Sequence, residues 1–197
     1  MSSSKLNVLR AEARRKTIHC LGATIPVLYL FFPKEWLMLG FLVGFAIIAP
    51  LEWLRLHGRL SLPCLRDYEG KRIGAYVFFV IGAFLSILLF EKRIAIAAIL
   101  MLAFGDTVSA VTGAVLTTGK AGPHGNRFKP PGVMLAMFLT TLLIGLLVLG
   151  PGLAAVLGAS GATIADGVPL QVHQVPVNDN LSIPLVAGCL MSIGSIC

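Results

Sequence analysis

The chain has 197 residues, 56% of them hydrophobic and 13% charged, and its mean hydropathy is +0.87. That composition excludes an ordinary soluble domain and places the chain among membrane proteins. The net charge of +7 does not point to nucleic acid, because the basic residues stand in short loops beside apolar runs; there they report topology and attraction to anionic headgroups or phosphates.

Apolar runs at 17–33, 36–51, 73–90, 94–116, 133–150, 152–168 and 181–197 predict an all-α, polytopic bundle of seven transmembrane helices. No polar stretch is long enough to build its own core, so one domain over 1–197 is expected. The basic segment 1–16 leads into an apolar run without a small-residue cleavage site, which predicts a first transmembrane helix rather than a signal peptide. Cys20, Cys64, Cys189 and Cys197 have no paired spacing, so neither a disulfide framework nor a zinc site is expected.

Charge asymmetry orients the bundle. Lys5, Arg10, Arg14, Arg15 and Lys16 precede the first run; Arg55, Arg59, Arg66, Lys71 and Arg72 follow the second; Lys120, Arg127 and Lys129 follow the fourth. The positive-inside rule makes all three segments, and the N-terminus, cytoplasmic. The polar stretch 169–180 then returns to the same face, and every polar cluster gathers there.

Four constellations carry chemistry. On the first helix Glu12, Arg15, Lys16 and His19 stand at i, i+3, i+4 and i+7, one face entering the membrane. In the fourth run Asp106 is the sole charge of 94–115, and a carboxylate at membrane depth costs on the order of a few kcal/mol unless it meets a cation, a metal or water. Gly105, Ser109 and Gly113 recur every four residues beside it and predict close helix packing. The glycine-rich loop 117–132 offers Lys120, Arg127 and Lys129 to phosphates, although it is not a Walker A loop. Finally Asp166, Asp179 and Asn180 suit a hydrated Mg²⁺ with phosphate oxygens, and Asn180 also suits an N-cap of the last helix. Metal carboxylates, phosphate-binding cations and a base at a membrane edge are the parts of nucleotide-dependent phosphoryl transfer to a lipid hydroxyl.

Glu12-x-x-Arg15-Lys16-x-x-His19, Arg66-x-x-Glu69 followed by Gly74, Gly105-Asp106 with Ala110 and Gly113, and Asp179-Asn180-Leu181-x-Ile183-Pro184 occur in that order. The chain thereby resembles the dolichol kinase/phytol kinase family of polytopic membrane enzymes over residues 10–190. The resemblance implies transfer of the γ-phosphate of CTP, or another nucleoside triphosphate, to dolichol, polyprenol, phytol or another lipid alcohol. It implies Asp106 and Asp179 as Mg²⁺ ligands, Lys129, Arg15 and Lys16 on phosphates, and either Asp166 or His19 as the base. Glu12, Glu69, Gly105 and Gly113 are supporting positions. Two departures stand out: Lys129-Pro130-Pro131 replaces a Lys-Ser-x-Glu-Gly-Ser type segment, and Asp166 replaces a glutamate.

Two rivals remain. A CTP:phosphatidate cytidylyltransferase needs nearly the same parts, but Pro123-His124-Gly125-Asn126-Arg127 is only a loose echo of its Gly-His-Gly-Gly segment. A transporter or catalytically dead scaffold predicts no nucleotide binding, and the one-sided charge counts against a conduit.

Overall fold

The computed structural model describes residues 16–17, 19–60, 72–116, 128–173 and 175–196. Prolines, glycines and charged turns cut the apolar chain into rods. Helix α1, Leu21–Phe31, opens on a 3₁₀ turn and stops before Pro33, which stands at the N-cap of α2, Lys34–Leu56. Gly74 precedes α3, Ala75–Leu89, and Glu91 precedes α4, Lys92–Leu116. Pro130 and Pro131 start α5, Pro131–Leu149, which ends at Gly150 with φ +92°. Helix α6, Leu153–Gly167, leads through a two-stranded hairpin, β1 Gln171–Val172 and β2 Val175–Pro176, into α7, Asp179–Gly194.

The all-α expectation holds, and its seven apolar runs each contain a helix, but among the described residues only α2, α4 and α5 are long and apolar enough to cross a membrane. Over the described residues α1, α3, α6 and α7 have 10–17 residues; Pro33 follows α1, Gly74 precedes α3 and Gly152 precedes α6. The second run also continues further than expected. Helix α2 extends past 51 through Glu52 and Arg55, so Arg55 is a buried helical residue and not a loop cation.

Helix α4 is the central rod, with Ala95, Ile99, Met101, Leu102 and Ala103 fully buried. Met101, Leu102, Met137, Ile183 and Met191 join α4, α5 and α7 in one apolar core. Helices α6 and α7 approach through glycine: a Cβ on Gly158 would lie 2.4 Å from Met191 Cγ. Such small-residue contacts let helices pack where the hydrophobic effect gives little drive between them.

Cations close the end of the bundle remote from the carboxylates. Lys92 Nζ donates to Leu30 O at 3.3 Å, Lys34 Nζ to Leu88 O at 2.8 Å, and Arg93 Nη2 to Val148 O at 2.6 Å. These are last-turn carbonyls of α1, α3 and α5, which have no intrahelical donor left to them.

Candidate functional site

The ordinary α-helical ladder of α4 changes to a π-helical stretch over Met101–Gly105, immediately before Asp106. Such a stretch shifts the helical register of everything after it, and π segments recur at functional sites. Its Ala103 carbonyl is met by Thr107 Oγ1 at 2.6 Å and by Cys20 Sγ at 3.8 Å. Gly105 permits the approach of α5, since a Cβ there would lie 2.7 Å from Thr141 Cγ2.

Asp106 is 3% exposed and forms an ion pair with Lys16 Nζ. His19 Nε2 stands 3.2 Å from the same carboxylate oxygen, Asp106 Oδ2, and the His19 ring meets Phe79 edge-on at 4.6 Å. The face drawn from sequence thus brings Lys16 and His19 to Asp106, while Glu12 and Arg15 lie outside the described residues.

Asp166, at the end of α6, has both oxygens engaged. Lys129 Nζ binds Oδ1 at 2.6 Å, and Ser109 Oγ donates to Oδ2 at 2.6 Å. Lys129 Nζ also donates to Ser109 Oγ at 3.1 Å. Burial disfavours the Lys129 ammonium, yet Asp166, Asp106 and Asp179 outweigh it and raise its pKa above the usual lysine value. The Pro130-Pro131 departure has a local purpose: proline at N1 suits a helix start, where no intrahelical N–H is needed. It leaves Lys129 extended just before α5, with its N–H on Gly167 O at 3.0 Å.

The third carboxylate, Asp179, is the first residue of α7. One ligand oxygen from each of Asp106, Asp166 and Asp179 lies within 4.8 Å of the others. Asp166, which the sequence offered both to Mg²⁺ and as a base, thus stands with Asp106 and Asp179 as a candidate ligand. Lys16 and Lys129 offset two of the three carboxylates and His19 also stands against Asp106; carboxylate oxygens gathered in this way are the ligands a hard divalent cation takes.

Asn178, not Asn180, caps α7: its side chain accepts from Asn180 N at 3.0 Å. The side chain of Asn180 instead turns inward, 2% exposed, with Nδ2 on Ala75 O at 3.0 Å. Its Oδ1 has no hydrogen-bond partner among the described residues, and a buried acceptor in that state calls for a ligand or water. Gly82 brings α3 against this turn, since a Cβ there would lie 2.5 Å from Asn180 O, the carbonyl that Pro184 cannot reach with an N–H.

A second polar cluster, not anticipated from sequence, holds the start of α3. Glu52 accepts from Arg55 Nε at 2.6 Å, Arg55 Nη2 at 2.7 Å, Gly74 N at 2.7 Å and the Tyr76 hydroxyl. Arg55 also donates to Arg72 O. Glu52 at i and Arg55 at i+3 was the available signal. The remaining sequence candidates, Glu69, Lys120 and Arg127, lie outside the described residues; Gly113 faces Val133 across α4 and α5.

Among the described residues the fold is all-α, with three helices long and apolar enough to cross a membrane and a cluster of three carboxylates, Asp106 and Asp166 buried and Asp179 partly so, against two lysines. Over 188 residues, 88% of this chain and 90% of the relative, the sequence is 27% identical to an uncharacterized protein of Rickettsia prowazekii (strain Madrid E). No family model and no solved structure matches the chain.

Proposed function

We propose that the chain is a multi-pass membrane kinase that transfers the γ-phosphate of CTP, or of another nucleoside triphosphate, to an isoprenoid or other lipid alcohol. One observation carries the reading: Asp106, Asp166 and Asp179, from three helices, converge within 4.8 Å. A purely structural ion pair needs one carboxylate; three need a further reason, because each buried charge costs several kcal/mol or so to desolvate. The motifs shared with the dolichol kinase/phytol kinase family support the same reading.

In this reading all seven helices lie in the bilayer, the four shorter ones by local thinning or with flanking residues, and the carboxylate end faces the cytoplasm. Asp106, Asp166 and Asp179 would hold Mg²⁺, which would neutralise the nucleotide phosphates. Lys16 and Lys129 would bind the β- and γ-phosphate oxygens. From the sequence alone, Arg15, Lys120 and Arg127 are further candidates for the phosphates. Asn180 Oδ1 accepts from the bound nucleotide or its water. The alcohol oxygen forms a bond to the γ-phosphorus, the bond to the β–γ bridging oxygen breaks, and the nucleoside diphosphate leaves. The hydroxyl proton passes to Asp166 or His19, and His19→Gln separates them: turnover kept in that variant leaves Asp166 as the base, and turnover lost with divalent-cation binding intact assigns His19.

The Lys16–Asp106 and Lys129–Asp166 pairs also favour a second reading, a silent scaffold whose charges serve assembly alone. Purified protein with Mg²⁺, [γ-³²P]CTP and a panel of polyprenol, phytol, geranylgeraniol and diacylglycerol tests both. Label in a lipid phosphate, lost in Asp106→Asn, supports the kinase. No transfer from CTP, ATP or GTP to any alcohol supports the scaffold.

A further inference from the structure

Two buried charges take no part in the proposed transfer. Glu52 and Arg55, 7% and 5% exposed, stand near the end of α2, and neither belongs to the three-carboxylate cluster. Desolvating an acid and a base is costly even when they pair, so what they hold is informative. Arg55 fixes Glu52 through Nε and Nη2, and the same Nη2 reaches Arg72 O. Glu52 Oε1 then accepts from Gly74 N at 2.7 Å, and Oε2 accepts from the Tyr76 hydroxyl. Gly74 is the N-cap of α3, and the third helical position is Val77, which has no oxygen to return to it. Glu52 supplies from another helix the acceptor that the glutamate of a capping box would give.

The start of α3 in turn holds Asp179. Lys16 pairs with Asp106 and Lys129 with Asp166, whereas among the described residues no ion pair holds Asp179. Its carboxylate rests on its own turn: Asn180 N donates to Asp179 Oδ1 at 2.9 Å and to Asn178 Oδ1 at 3.0 Å. That turn is tied to α3 by Asn180 Nδ2, which donates to Ala75 O at 3.0 Å. Ala75 lies between Gly74 and Tyr76, the two residues that Glu52 grips. A line of hydrogen bonds therefore runs from Arg55 through Glu52, the first residues of α3 and Asn180 to Asp179.

We propose that Glu52 and Arg55 are positioning residues for the cation site: they hold the start of α3 so that Asn180 aims Asp179 at Asp106 and Asp166. The inference rests on the cation site of the kinase reading and not on the transfer step. It also accounts for the buried pair. Asp106 and Asp166 each have a lysine to fix them, and the third carboxylate takes its orientation from a charged cluster one helix further out.

The Mn²⁺ affinity of the full chain in detergent, read by electron paramagnetic resonance, tests this in a double-mutant cycle. Glu52→Gln is expected to weaken Mn²⁺ about tenfold, the lower end of what outer-shell partners contribute. In an Asp179→Asn background the same change costs about twofold or less, because its target is gone; in a Ser109→Ala background, which acts on Asp166, it still costs about tenfold. Arg93→Met, which loosens the opposite end of the bundle, leaves the affinity unchanged and controls for a general loss of stability. Where Glu52→Gln does not fold, Tyr76→Phe keeps the charge pair, removes one hydroxyl and carries the same cycle with a loss of about threefold. Equal losses in the wild-type and Asp179→Asn backgrounds, or unchanged affinity in the folded variant, overturn the positioning and leave the kinase reading intact. A wild-type chain that binds no Mn²⁺ overturns the cation site, and both proposals with it. The expected cycle without phosphoryl transfer to any alcohol upholds the positioning and sinks the kinase reading alone.

Discussion

Ser109 Oγ donates to Asp166 Oδ2 at 2.6 Å, tying the second half of α4 to the end of α6 across 57 residues of chain. Ser109 Oγ in turn accepts from Lys129 Nζ at 3.1 Å, so a single serine links an acid, a lysine and two helices. Ser109 lies one helical turn beyond Asp106, so α4 presents two polar groups to one site. That arrangement turns a small-residue packing position into a part of the candidate site.

Ser109→Ala leaves Asp166 Oδ2 without this donor in a buried setting, which costs about 1–3 kcal/mol. The expected outcome is a lower midpoint in detergent unfolding and phosphoryl transfer reduced on the order of tenfold. Ser109→Thr keeps the hydroxyl and recovers most of both.

Lys16→Met leaves the buried Asp106 with His19 as its near partner, and losing the ammonium costs up to about 3–5 kcal/mol of stability. Adding Asp106→Asn removes the charge of that carboxylate. The double variant is therefore more stable than Lys16→Met alone, with a coupling of at least about 1 kcal/mol in a double-mutant cycle. Equal and additive losses would show that the pair does not form.

The three-carboxylate cluster predicts one tight divalent site per chain. Mn²⁺ binding followed by electron paramagnetic resonance should saturate at about one ion per chain, the octahedral oxygen set that Mn²⁺ shares with Mg²⁺. Asp106→Asn and Asp166→Asn should weaken it strongly. Asp179→Asn should weaken it less, because Asp179 is the partly exposed member of the three.

Glu52→Gln breaks a buried charge cluster outside the carboxylate site. The Gly74 N–H and the Arg55 guanidinium lose their charged acceptor, and the start of α3 loosens. Because Ala75 O holds Asn180 Nδ2, hydrogen exchange should quicken at 74–77 and also at 179–182. Faster exchange confined to α2 would contradict this coupling.

Much of this was legible in the chain itself. Asp106 declared itself by standing alone in an apolar run, and Asp166 and Asp179 by bracketing the last polar loop. Helix number followed from the apolar runs, each of which contains one helix. Three things were hidden. Helix length was misjudged where Glu52 and Arg55, charged but mutually neutralised, let α2 run on. Ser109 looked like a spacer, since only its partners across space make it polar machinery. The cap of α7 fell to Asn178 because Asn180 is drawn inward by Ala75 O, a contact spanning 105 residues that no local pattern reveals.

The central claim is that the site moves a γ-phosphate onto a lipid hydroxyl, and its most direct test is the fate of two labels. Parallel reactions with [γ-³²P]CTP and [α-³²P]CTP, over the alcohol panel and phosphatidic acid, should label lipid from the γ-labelled donor only, with CDP released. Lipid labelled from the α-position, with pyrophosphate released, would contradict the account and identify a cytidylyltransferase.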